Sequence, residues 1–158
     1  MATNSSSAWT VAGFAAALDL ALVVAAFGLV SLFADAEPIA DPAAGRLVGP
    51  ITIGVAVLAL LVLLGFALTR GMRPWSIAGL AVLVGWGAGV AAATVAYAVS
   101  TGTLLAALIF ALSFMTVGFG VIIVISGAIV ALLAAVTYRA QQGGVDRPRW
   151  PWERDDEQ

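Results

Sequence analysis

Four long apolar runs separated by short polar connections dominate the pattern of this chain. The runs cover roughly residues 9–33, 49–68, 75–99 and 103–138. A helix needs ~20 apolar residues to cross a hydrocarbon core of ~30 Å, and each run reaches or exceeds that length. The pattern therefore predicts an all-α, polytopic membrane protein with four transmembrane helices in an up-down bundle.

The fourth run is longer than a membrane crossing requires. At 1.5 Å per residue it would extend ~54 Å as a helix, and residues 116–138, counted back from Tyr138 and Arg139, are enough to cross. The remainder must project outward, tilt strongly or bend near Gly118-Phe119-Gly120. We expect one unusually long fourth helix with a bend or a tilt. A fifth span is not expected, because half of the run is too short to cross.

Composition excludes most soluble and catalytic classes. The chain is 62% hydrophobic and only 10% charged, with a mean hydropathy of +1.06, so lipid is its expected surrounding. It contains no His and no Cys, which removes two common metal ligands, disulfides and Cys or His nucleophiles. We expect no metal, no cofactor, no nucleic-acid partner and no enzymatic activity.

The arginines occupy alternate connections and predict the orientation. The second connection and the tail hold six of the seven, and the acidic first connection holds the other; they are Arg70, Arg73, Arg139, Arg147, Arg149 and Arg154 against Arg46. Because Lys and Arg favour the cytoplasmic side, both termini are expected in the cytoplasm. Every basic residue is Arg, and Ala, Gly and Val dominate; this usage suggests a high-GC genome, from which we expect a bacterial inner membrane.

This orientation divides the chain into three parts. Residues 1–8 form a short cytoplasmic N-terminus, 9–139 the membrane domain and 140–158 a disordered cytoplasmic tail. Ala34-Asp35-Ala36 has the form of a signal-peptide cleavage site. However, the first run is longer than a 7–15-residue signal core and has no positive residue before it, so we expect it to be retained.

Asp19 is the candidate functional residue, because it is an acid inside the first span. A central Asp costs about 2.5–3.5 kcal/mol on insertion scales, so something must favour its retention. Helical spacing places it on the face of Ala12, Ala15, Ala16 and Ala26, which predicts that this face points into the bundle. Counting along the spans predicts Trp86 and Ser126 at the same depth, as hydrogen-bond donors. Asp19 is then either a proton- or cation-responsive site or an interhelical packing bond.

Small residues recur every fourth position in the third run. Ala81, Gly85, Gly89 and Ala93 form a stripe of the kind that lets helices approach closely. The stripe either closes the four-helix bundle or joins two copies of the chain.

Three sequence features are similar to a known group of proteins. They are residues 25–29 (AAFGL), the acidic loop ending in residues 47–50 (LVGP) and the closing residues 147–153 (RPRWPWE). Together they resemble a family of small four-span bacterial membrane proteins of unknown function. The resemblance implies the same topology and carries no site residue.

Two functions follow from the sequence as hypotheses. The first is a non-enzymatic structural or accessory subunit of the cell envelope, whose partner would be another membrane protein or a second copy of the chain. The second is a small proton-coupled transporter that uses Asp19. Small multidrug exporters also have four spans and an acid in the first, but that analogy is one of fold only.

Overall fold

The computed structural model describes residues 2–35, 39, 41–117 and 119–142. These residues form five α-helices and one short 3-10 helix, and the described part of the chain has no strand. The α-helices are α1 (Ala2–Ala34), α2 (Val48–Thr69), α3 (Pro74–Thr101), α4 (Leu104–Val117) and α5 (Gly120–Gln142), and the 3-10 helix is Pro42–Ala44. The predicted disordered tail falls outside the described residues from position 143 onward.

Four of the helices are long and apolar enough to cross a membrane, which confirms the predicted class. They are Ser5–Ala34, Val48–Thr69, Pro74–Thr101 and Gly120–Gln142. Pro74 is the first residue of α3, where its missing N–H leaves no hydrogen bond unmade. Helix α1 begins at Ala2, so the polar N-terminal segment continues the first helix. The protein is thus a multi-pass membrane protein by length and composition of its helices.

Helices α1, α2, α3 and α5 form a ring in which each contacts the next, and α5 returns to α1. The start of α1, the α2–α3 turn and the end of α5 meet at one end of the bundle, because Ser5, Gly71 and Gln142 line one groove there. We call this the arginine end, since Arg70, Arg73 and Arg139 lie there. Successive spans therefore run in opposite directions, as an up-down bundle requires.

The prediction of one long fourth helix is wrong: the fourth run forms two helices, α4 and α5. Helix α4 is too short to be a span and packs beside α3. The break falls where the sequence offered Gly118-Phe119-Gly120 as a bend. Gly120 lies close against the preceding helix, because an added Cβ would lie 2.6 Å from Met115 Cα and 2.7 Å from Phe114 O.

The break comes just before the fourth span, at a level where α3 is still helical. Met115 packs directly on Gly89, which is well inside α3. Ile123, just after the break, belongs to the same buried cluster as Met115, Ala56 and Val23. Irregular backbone at such a depth is tolerated only where protein covers it, and Gly120 is buried.

The end opposite the arginine end is fixed by an aromatic stack and one carboxylate. Asp41 Oδ1 accepts a hydrogen bond from Ala43 N at 2.9 Å, and this caps the 3-10 helix. Tyr97 Oη donates to Asp41 Oδ2 at 2.7 Å. The Tyr97 ring stacks on Phe110 of α4 with centroids 4.6 Å apart. Asp41 therefore ties the first connection to α3, and Tyr97 ties both to α4.

Replacement of Gly120 by alanine tests the broken helix. The Cβ of Gly120→Ala would meet backbone atoms that cannot move aside, so we expect the free energy of unfolding in detergent to fall by about 1–3 kcal/mol. The matched control is Gly28→Ala, because nothing lies within 4 Å of a Cβ built at the exposed Gly28. Equal stability of the two variants would contradict a close Gly120 contact.

Candidate functional site: a buried carboxyl between two helices

Asp19 lies on the inward face of α1 and is 2% exposed. The buried positions of α1 repeat at helical spacing and consist almost entirely of small apolar side chains: Ala8, Ala12, Ala15, Ala16, Asp19 and Val23. Of the residues predicted to share its face, Ala12, Ala15 and Ala16 are buried and Ala26 is half-buried. Alanine lets the backbones of α2 and α5 approach closely, and that approach removes the carboxyl from lipid.

Ser126 of α5 has its hydroxyl next to the Asp19 carboxyl. Ser126 Oγ also donates to Ile123 O within its own helix, at 3.1 Å. A serine hydroxyl has one proton and two lone pairs, so it can serve only one of these two acceptors as a donor. Asp19 Oδ1 is buried and has no hydrogen-bond partner in the described part of the chain. The carboxyl is thus buried next to a hydroxyl that donates to a carbonyl of its own helix.

The depth of the site keeps it away from the arginines. Ser5 and Gln142 mark the arginine end. At 1.5 Å per residue, Asp19 lies ~21 Å further along α1 and Ser126 ~24 Å back along α5. These distances agree, so the two side chains meet on antiparallel helices at one level. Arg70, Arg73 and Arg139 lie too far away for an ion pair with Asp19.

The site offers one carboxyl group, which can accept a hydrogen bond or bind a proton. Among the residues that the structure describes, no three acidic, His or Cys side chains come together as a metal site would require. Side-chain hydrogen bonds between helices in lipid contribute about 1 kcal/mol, so a carboxyl next to a hydroxyl can help to join two helices.

Trp86 does not join Asp19, although the sequence predicted it at the same depth. Its side chain is 37% exposed and belongs to the outward-facing apolar residues. The reason is the order of the helices in the ring. Helix α1 packs on α2 and α5, whereas Trp86 is on α3, which packs on α2, α4 and α5. Equal depth does not bring two residues together when their helices are not neighbours.

The small-residue stripe of α3 lies largely inside the bundle. Ala81 and Ala93 are 2% and 0% exposed, and buried Gly89 receives the Met115 side chain, which a Cβ would displace. Gly85 is half-buried, with nothing within 4 Å of a Cβ built there. Three of the four positions therefore contact other helices of the same chain, and Gly85 leaves space beside it.

A polar contact at the arginine end was not predicted from the sequence. Arg139 Nη2 donates to Gly71 O at 3.3 Å and to Met72 O at 3.1 Å, so the end of α5 is fastened to the α2–α3 turn. The only sequence signal was a basic residue in the last turn of an expected helix. Such a residue ordinarily interacts with the carbonyls of its own helix.

Comparison with known proteins gives a family and no activity. The model of a family of unknown function, DUF6121, matches residues 1–158. No curated protein and no solved structure matches the chain. This agrees with the resemblance to a family without a known function, and the match covers the whole length of the chain. The chain therefore belongs to the DUF6121 family of unknown function.

Proposed function

We propose that this protein is a non-enzymatic membrane protein that acts as a structural or accessory subunit of a larger assembly in the cell envelope. The observation that carries the proposal is the position of Asp19. The one acid within the described spans lies on the alanine face of α1, next to Ser126 of α5. This is the arrangement of a residue that joins two helices of the bundle, and it leaves the outward surface apolar.

The outward face of α1 supports the accessory role. Gly13, Ala17, Ala21 and Ala25 are exposed and recur every fourth residue, so they form a stripe on the lipid-facing side. Nothing lies within 4 Å of a Cβ built at Gly13. Small residues at this spacing let a second helix approach closely, and close approach provides the packing that drives helix association in lipid. A helix of another membrane protein is the partner that this proposal requires.

Co-purification in mild detergent tests the accessory role. We expect a stoichiometric, unrelated membrane protein to be isolated with the wild-type chain. Ala17→Leu places a large side chain in the stripe of small residues and so prevents close approach of a second helix. This variant should reduce recovery of the partner at unchanged thermal stability. Ala91→Leu is the matched control, because Ala91 is an exposed alanine on α3, outside the stripe. Isolation of a homodimer alone, or equal loss in both variants, would contradict the proposal.

The proposal includes an orientation, with the arginine end in the cytoplasm of a bacterial inner membrane. The support is the distribution of charge: Arg70, Arg73 and Arg139 lie at one end, and Asp35 and Asp41 follow α1 at the other. Short connections rich in Arg stay on the cytoplasmic side.

Single cysteines can test this orientation, because the chain has no Cys of its own. In spheroplasts, a membrane-impermeant maleimide should label Ser100→Cys directly. It should label Ser5→Cys only after lysis, since Ser5 lies at the arginine end. Both positions are exposed. Labelling of the Ser5→Cys variant before lysis, with the Ser100→Cys variant protected, would reverse the orientation.

A proton-coupled transporter is the second candidate, and two observations favour it. Asp19 Oδ1 is buried without a partner in the described part of the chain. The break between α4 and α5 lies within two turns of Ser126, and discontinuous helices commonly line transport sites. A transporter would lose proton-coupled flux on Asp19→Asn while the protein still accumulated in the membrane. Under the structural proposal Asn is tolerated, and Asp19→Leu lowers thermal stability.

A further inference from the structure

A groove at the arginine end lies between the start of α3 and the end of α5. Its cavity volume is about 400 Å³, and it is lined by Arg73, Pro74, Trp75, Leu132, Val136 and Arg139. The groove is open to the outside of the bundle: Trp75 is 77% and Val136 51% exposed. It is separate from Asp19, which is buried among helices nearer the middle of the bundle.

Two guanidinium groups provide the polar part of the groove. Arg73 precedes α3 and is exposed. Arg139 is positioned by its Nη2 hydrogen bonds to the carbonyls of Gly71 and Met72. An arginine has five N–H donors, so Nε and Nη1 remain for a ligand. The two cations therefore line one groove, and one of them is hydrogen-bonded to the α2–α3 turn.

The acidic residues that the structure describes lie elsewhere. Asp19 is inside the bundle, and Asp35 and Asp41 belong to the connection at the opposite end. Within the described part of the chain, no carboxylate pairs with Arg73 or Arg139. The first turn of α3, with its positive helix-dipole end, adds to the positive potential. The charge of the groove thus calls for an anion.

The rest of the lining is apolar, and its order along the helix is informative. Leu132, Val136 and Arg139 follow one another at helical spacing on α5, so the wall changes from aliphatic to cationic over ~10 Å towards the arginine end. Trp75 faces the groove from α3, and exposed Trp is typical of the headgroup level of a membrane. A small free anion would be bound by the arginines alone and would leave the aliphatic wall without a contact.

We propose that this groove binds one anionic phospholipid, with its phosphate between Arg73 and Arg139 and an acyl chain along Leu132 and Val136. The groove matches that ligand in two ways. Its positive charge suits the phosphate, and its cationic and aliphatic parts follow one another along the membrane normal in the same order as a headgroup and an acyl chain. Arginine at the headgroup level recognises phosphate through several N–H donors at once. A lipid at this position also contacts both α3 and α5, so it bridges two helices of the ring at the end where α5 meets the α2–α3 turn.

Native mass spectrometry of the full chain tests the proposal. The protein is released from mixed micelles that contain equal amounts of phosphatidylglycerol and phosphatidylcholine. We expect one retained phosphatidylglycerol in excess over phosphatidylcholine. Arg73→Gln should lower its retention about fivefold, as expected for the loss of one Arg near an anionic lipid. Retention of both lipids in equal amounts would overturn the proposal.

Arg70→Gln is the matched control for charge. Arg70 is at the same end of the bundle but lines a different groove, where its guanidinium lies over Phe66, 6.0 Å from the ring centroid. We expect Arg70→Gln to leave lipid retention unchanged. An equal loss in both variants would show that bulk charge attracts the lipid and would overturn the groove as its site.

A second variant tests the apolar wall without touching the charges. Val136→Trp fills the groove from an exposed position, and we expect it to lower phosphatidylglycerol retention while thermal stability without lipid stays unchanged. Inorganic phosphate at millimolar concentration should fail to displace the lipid. Unchanged retention in Val136→Trp, or displacement by phosphate, would overturn the proposal; displacement would identify a site for soluble anions.

Discussion

The rest of this structure depends on the absence of hydrogen-bonding solvent in the membrane. Backbone N–H and C=O groups that leave water must find partners inside their own segment, and a helix provides them. The same constraint explains where the polar side chains lie. Thr52 and Thr94 donate to carbonyls of their own helices, at 2.7 Å in both cases. Arg70, Arg73 and Arg139 are kept at one end, and Asp19 is enclosed by alanine.

Closure of the helix ring takes place between the first and last helices. Helix α5 packs on α1, where small side chains surround Asp19, and it meets the α2–α3 turn through Arg139. Asp19 is buried, where a polar group without a partner is costly, whereas Arg139 is exposed and donates to the turn carbonyls from the surface.

The sequence predicted the class and the four spans because run length and the positions of charge report directly on a hydrocarbon slab of known thickness. It also predicted the inward face of α1, since Ala12, Ala15 and Ala16 share a helical face with Asp19. The sequence did not predict the order of the helices in the ring. Equal depth suggested that Trp86 lies beside Asp19, but α1 and α3 are not neighbours in the ring. The sequence offered Gly118-Phe119-Gly120 as the place of a bend, but it did not predict that the run divides into two helices there, because an apolar run does not show how strongly the chain is interrupted. The Arg139 contact likewise depends on the α2–α3 turn lying next to α5.

The most direct test of a structural Asp19 is a double-mutant cycle with Ser126. The free energy of unfolding is measured in detergent for the wild type, Asp19→Ala, Ser126→Ala and the double variant. A hydrogen bond between α1 and α5 predicts a coupling energy of about 0.6–1.7 kcal/mol, the range found for such pairs in membrane proteins. Strictly additive effects would show that the two side chains do not stabilise each other, and would contradict the assignment of Asp19 as the residue that joins these helices.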